Sequence, residues 1–158
     1  MPITDAGLTD CYRRIERRLY NVLFRLLWNP QDCQDVMHDA FMRVWHRREA
    51  VLETSLEPLL FATALNLARN QLRWKSLRSF VGLDDHVAAT GPPHGDCADL
   101  RRALAALSPG QRKVVLLSEI GGFDTREIAQ MLGIPEGTVG SRKHQALARI
   151  RKILEPNE

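Results

Sequence analysis

The chain has 158 residues, 44% of them apolar but only 6% aromatic, and a net charge of +3. That gives room for one ordinary domain or two small ones, and it favours Leu/Ala-rich helical packing over a β-sandwich or barrel. No apolar run approaches the roughly 20 residues that span a bilayer. The N-terminus MPITDAGLTD lacks the pattern of a secretory signal, and Cys11, Cys33 and Cys97 are too scattered for a disulfide framework. The expectation is a cytoplasmic protein without direct membrane insertion, whose mild basicity is compatible with an anionic partner.

Ile15, Leu19, Val22, Leu23, Leu26 and Leu27 recur at helical spacing, and Asn29-Pro30 ends that first helix. A second helix is expected from about Asp32 to Arg48, burying Val36, Ala40, Phe41 and Val44 while His38, Asp39, Met42 and Arg43 point elsewhere. Residues 49–58, EAVLETSLEP, read as a connector, with Ser55 as the N-cap and Pro58 in the first turn of a third helix. That helix, LLFATALNLARNQLRWKSLR, carries Asn66, Arg69, Asn70, Arg73 and Lys75 in its second half.

Charge then changes sign. Residues 9–80 are net basic, whereas VGLDDHVAATGPPHGDCADL (81–100) has four Asp, no Lys or Arg, and no period. Gly91-Pro92-Pro93 and Gly95 mark it as a flexible acidic linker. The expected organisation is all-α: two small helical domains, 1–80 and 100–158, joined by residues 81–99.

The C-terminal part opens with LRRALAALSP, a short helix stopped by Ser108-Pro109, and continues with QRKVVLLSEIGG, ended by Gly121-Gly122. Asp124 with Glu127 forms an acidic capping box for a further helix. Ile128, Met131 and Leu132 make its buried edge, Gly133 breaks it, and Pro135 opens the last helix. In that helix Val139, Ala146, Leu147, Ile150 and Leu154 can face inward. Two helices joined by so short a Gly-containing turn have the form of a helix-turn-helix, whose second helix enters the DNA major groove. Thr138, Ser141, Arg142 and Gln145 are suited to base contact, since Arg can grip guanine, Gln can pair with adenine, and hydroxyls can reach bases or phosphates. Small Gly137 and Gly140 let the backbone come close to DNA, and Arg149, Arg151 and Lys152 extend a positive edge.

With both halves in view, the chain resembles an alternative sigma factor of the extracytoplasmic-function (ECF) type. The C-terminal residues that carry the resemblance are LRRALAALSPGQRKVVLL and GGFDTREIAQMLGIPEGTVGSR. In the N-terminal half they are DVMHDAFMRVW (35–45) and ATALNLARNQLR (62–73). The resemblance implies a sigma-2-like bundle, a linker and a sigma-4-like helix-turn-helix, which together bind core RNA polymerase and direct it to promoter DNA. It implies that Thr138, Ser141, Arg142 and Gln145 read the −35 element, with Lys143 or Arg149 on phosphates. Asn66, Arg69, Asn70, Arg73 and Lys75 would serve the −10 element and its melted strand, with Trp74 a stacking or packing group. Asp35, His38, Asp39, Met42 and Arg43 would dock on the polymerase, and an anti-sigma factor is the expected regulator. The sequence departs from the family pattern near Leu59, at Asn70 and at Lys143.

Other chemistries find little support. His94-Gly95-Asp96-Cys97, and Cys33 with His38, have no second ligand pair at the spacing zinc requires. Neither a metal nor any other cofactor is expected. No phosphate loop, nucleophile elbow or carboxylate pair stands out, so neither an enzyme of its own nor a small-molecule substrate is expected. Two alternatives remain open at this point: a sigma-like decoy that sequesters an anti-sigma factor, and an autonomous helix-turn-helix regulator.

Overall fold

A computed structural model describes residues 3–82 and 96–155, with the side chain of Asp96 excepted. The chain separates into two compact units, Met1–Ala89 and Thr90–Glu158. Among the described residues every regular element is helical.

The first unit is a three-helix bundle of α1 (Asp5–Leu27), α2 (Pro30–His46) and α3 (Leu56–Phe80). Thr4 caps α1 by accepting from the Gly7 N–H, satisfying one of the donors that a helix start leaves open. Trp28 ends α1 in the left-handed region (φ 53°), and Asn29 at once caps α2, its side chain accepting from the Asp32 N–H at 3.0 Å. The chain therefore reverses within two residues, and Pro30 fits the first turn because that position needs no N–H. Leu8, Ile15, Leu19 and Leu23 of α1, Val36 and Ala40 of α2, and Leu60, Phe61, Ala64 and Leu65 of α3 form the buried core. Each large apolar side chain removed from water there contributes roughly 1.5–3 kcal/mol.

Several details differ from the sequence expectations. Helix α2 stops at His46, and two short 3-10 turns, Arg48–Ala50 and Glu53–Ser55, carry the connector. Ser55 occupies the N-cap position of α3, but its side chain makes no cap hydrogen bond. Glu57 anchors the start of α3 by ion pairs with Arg18 and, at 3.7 Å, with Arg14 of α1. Met37 is buried and Phe41 half-buried; Phe41 packs edge-on to Tyr12 and against Trp45.

The second unit contains α4 (Asp96–Ala105), α5 (Pro109–Glu119), α6 (Thr125–Leu132) and α7 (Glu136–Leu154). α7 packs on each of the other three. α4 begins four residues before the Leu100 expected from the sequence, inside the span assigned to the linker. Residues 83–95, the greater part of that linker and including His94 and Gly95, lie outside the described residues. Ser108 does more than stop α4. It caps α5 in a reciprocal box with Gln111, both bonds 3.2 Å. The Arg112 guanidinium then turns back to donate to the carbonyls of Leu104, Ala105 and Leu107, at 2.9, 3.4 and 3.1 Å. The Leu104 carbonyl also accepts from the Leu107 N–H at 3.2 Å, and Arg112 adds a second donor to it while reaching two more carbonyls at the end of α4, so one side chain clamps two consecutive helices together. Its partial desolvation lowers the Arg112 pKa. At the far end Leu154 is 44% exposed instead of facing inward; the last turn of α7 runs past its support.

Candidate nucleic-acid interface

The α6–α7 turn is built by local chemistry. Asp124 accepts from the Glu127 N–H at 2.8 Å and its own N–H donates to Glu127 at 3.2 Å, which starts α6. Gly133 ends it at φ 67°, where a Cβ would be strained, and the Ile134 N–H closes the turn on the Ala129 carbonyl at 3.1 Å. Pro135 is the N-cap residue of α7. Residues 125–152 are therefore two helices with a sharp break, as the sequence predicts.

On α7, Val139 and Ala146 are fully buried and fix the helix's rotation. The opposite side exposes Gly137, Gly140, Ser141, His144, Gln145, Ala148 and Arg149. These positions follow the i, i+3, i+4 steps of one face. A Cβ added at Gly137 or Gly140 would meet nothing within 4 Å, so another molecule can approach the backbone there. His144 belongs to this stripe and was absent from the residues chosen by sequence; the 137–141–144–148 spacing was the available signal. Thr138 is only half-exposed, at the stripe's edge. Lys143 is turned towards α5 and pairs with Glu119 at 3.5 Å. The half-exposed Arg142 lays its guanidinium on the first turn of α5, where a Cβ on Gly110 would stand 3.0 Å from Nη1. Gln145 accepts from the Gln111 side chain at 3.2 Å. Two of the candidate base readers thus rest on the first turn of α5.

The first unit presents a second face. Asn66, Arg69, Asn70 and Arg73 are exposed together on α3, and Trp74 beside them is 61% exposed. Trp74 is therefore not a core group, and it is free to stack. Asn70, Arg73, Trp74 and Leu77 line a depression of about 380 Å³. A neighbouring groove of about 480 Å³ is lined by Arg43, Val44, His46, Arg47, Leu59, Thr63 and Asn66. Asn66 in the lining of the groove and Asn70 in the lining of the depression stand one turn apart on α3. Arg43, grouped by sequence with the polymerase-docking residues, thus shares a groove with Asn66. Arg47 and His46, which the sequence reading did not select, add positive or titratable groups to it.

Lys75 departs from the expected set. It lies nine residues, or two and a half turns, from Asn66, which puts it on the opposite side of the helix. There it forms an ion pair with Asp32 of α2, with both side chains largely covered. Its charge holds the bundle together and does not join the Asn66–Arg73 face.

Asp35, His38 and Asp39 of α2 are exposed, Met42 is half-buried and Arg43 exposed, all along one side of that helix. The cysteines offer no reactive centre within the bundle. Burial pushes the Cys33 thiol up to about 12, and burial also raises Cys11. Among the described residues no group of three or more His, Cys, Asp or Glu could hold a metal ion, and no helix is long and apolar enough to cross a membrane.

Residues 11–78 match the family model for Sigma-70 region 2, and residues 97–150 match Sigma-70, region 4. The ECF RNA polymerase sigma factor SigL of Mycobacterium tuberculosis is 31% identical over 149 residues, covering 87% of this chain and 82% of that protein. The RNA polymerase sigma-E factor of Streptomyces antibioticus is 31% identical over 157 residues, covering 93% and 86%. Among solved structures, the sigma factor RpoE in complex with the anti-sigma factor NepR from Bartonella quintana has a TM-score of 0.74 at 23% identity, covering 94% of this chain and 99% of that one. CnrH in complex with the cytosolic domain of CnrY has a TM-score of 0.77 at 22% identity, covering 98% and 92%. At those identities the two structures establish the fold alone.

Proposed function

The chain belongs to the sigma-70 family, among its ECF members, and from that premise we propose how its two helical units divide the work of transcription initiation. It is an initiation factor and not an enzyme; bond formation falls to the polymerase it accompanies. The C-terminal unit reads the −35 element as duplex DNA. α7 enters the major groove with Ser141, His144 and Gln145 towards base edges and Arg149 towards phosphate, while Arg142 reaches in from the α5 side. Thr138 and Lys143 flank that surface.

The N-terminal unit takes the −10 element. Extruding a base from a duplex costs a few kcal/mol, which a receiving pocket must offset. The groove between the α2 end and α3, with Asn66, Arg43 and Arg47 on its rim, is such a receptacle. The run Arg69, Asn70, Arg73 and Trp74 provides donors, charge and one stacking surface for the strand beyond it. The α2 face of Asp35, His38, Asp39 and Met42 docks on the core enzyme. The segment between α3 and α4, residues 81–95, tethers the two units, and the protein works in the cytoplasm. RpoE is described in complex with an anti-sigma factor, and control by a partner of that kind is extended here to this chain.

One observation carries the reading: two family modules occur in order, each with an exposed polar face whose residue types match a nucleic acid. Run-off transcription with core RNA polymerase tests it. Substituting His38 and Asp39 by Ala should abolish transcripts by weakening polymerase binding while leaving binding of the free protein to a −35 duplex intact. A wild-type chain that binds an anti-sigma factor yet yields no transcript from any promoter would identify it as a decoy instead.

A further inference from the structure

The first turn of α5 contains a chain of hydrogen bonds that ends on a base-reading residue. A backbone N–H can only donate, so the Gln111 atom facing the Ser108 N–H at 3.2 Å must be its carbonyl oxygen, Oε1. That fixes the other end of the same amide: Gln111 Nε2 points to Gln145 and donates to its Oε1 at 3.2 Å. The orientation of the Gln145 amide, which would otherwise be free to rotate by half a turn, is thereby dictated from a helix cap 34 residues earlier. Its Oε1 is turned to α5 and its Nε2 is left to face outward from the exposed stripe of α7.

Resting on the reading that α7 addresses the −35 duplex, we propose that Gln111 is a positioning residue that sets the base preference of Gln145. Held in this orientation, Gln145 offers the groove a donor. It favours guanine or thymine, whose polar atoms in the major groove are all acceptors, over cytosine, which presents an amino donor. The two-bond clasp of adenine usual for Gln, which needs Oε1 and Nε2 aimed together at the base, is weakened because Gln111 holds one lone pair of Oε1 and turns that oxygen towards α5. On the same turn of α5, Gly110 without a side chain leaves room for the Arg142 guanidinium.

Gln111→Glu separates positioning from stability. A Glu carboxylate still accepts from the Ser108 N–H, so the capping box survives and the melting temperature should hold. Its second oxygen can only accept, so Gln145 must rotate to donate Nε2 to it, turning Oε1 outward. The experiment uses the full-length chain with core RNA polymerase on a promoter pool whose −10 element is fixed and whose −35 element is randomised, with the transcripts sequenced. Gln145→Ala identifies the position that Gln145 reads, as the one whose preference flattens. At that position Gln111→Glu should move the preference from guanine or thymine to adenine or cytosine by about fivefold, the worth of one hydrogen bond. Gln111→Ala should flatten it. The added negative charge lowers binding on every sequence alike and so does not alter the ranking. An unchanged ranking in Gln111→Glu, with Gln145→Ala still flattening one position, overturns the relay while leaving −35 recognition by α7 intact. No change in Gln145→Ala overturns both.

Discussion

Arg112→Ala should unfold the DNA-reading unit selectively. Arg112 donates two well-formed hydrogen bonds, to Leu104 and Leu107, and a third near the distance limit to Ala105. Hydrogen bonds from a charged donor contribute about 1.5–3 kcal/mol each. The guanidinium is partly desolvated, which lowers its pKa and offsets some of that gain, and the freed carbonyls can recover water. A net loss of about 2–4 kcal/mol follows. A unit of about 60 residues is worth only ~3–9 kcal/mol in total, so the variant should sit near its unfolding midpoint at growth temperature. Lys, with one compact ammonium in place of a planar fork, should retain about one of the bonds and fall between. Hydrogen exchange on the full-length chain reads this by segment. Peptides from α4 to α7 should lose protection while those from α1 to α3 keep theirs. Equal loss in both units, or a change below ~0.5 kcal/mol in α4–α7, would refute the clamp.

Other outcomes follow from the same geometry. Gly110→Ala places a methyl 3.0 Å from the Arg142 guanidinium; transcription should fall while the melting temperature holds or rises, since Ala favours a helix by up to ~1 kcal/mol. Activity that is unchanged would remove Arg142 from the interface. Lys75→Ala should destabilise the first unit by about 1 kcal/mol through loss of the Asp32 pair, and Asn66→Ala should impair promoter opening without moving the melt. The reverse pattern in permanganate footprinting and thermal melts would restore Lys75 to the DNA face. Because Cys33 is raised from 9.0 to about 12, the unfolded chain loses that thiol proton first. Its contribution is whole below pH 9 and declines by ~1.4 kcal/mol per unit as pH rises from 9 towards 12. Cys33→Ala should show a shallower decline in urea melts, and a slope equal to wild type would contradict the burial effect.

Local chemistry explains what the sequence made legible. The Asp124–Glu127 box and Gly133 act within three to five residues of themselves, so the break before α7 can be read without knowing what packs around it. The same holds for Asn29-Pro30. The pattern Ser108-x-x-Gln111 was equally local, yet beside Pro109 it reads more readily as an end of α4 than as a beginning of α5. What escaped depends on distant partners. Lys75 shares a helix with Asn66, and only the fold brings it to Asp32, 43 residues away. His144 lies among basic neighbours with nothing in its type to distinguish it; the burial of Val139 and Ala146 selects it. Arg142 and Gln145 were identified as readers, but their support on α5 is a tertiary contact that periodicity does not contain.

The most direct test is run-off transcription by purified core RNA polymerase supplemented with this chain on a genomic library, with transcript starts mapped. Transcripts should begin downstream of a shared pair of spaced elements, the upstream one altered by Gln145 and the downstream one by Asn66 substitutions. Transcripts that ignore both substitutions, or none above core enzyme alone, would contradict the assignment of the two faces.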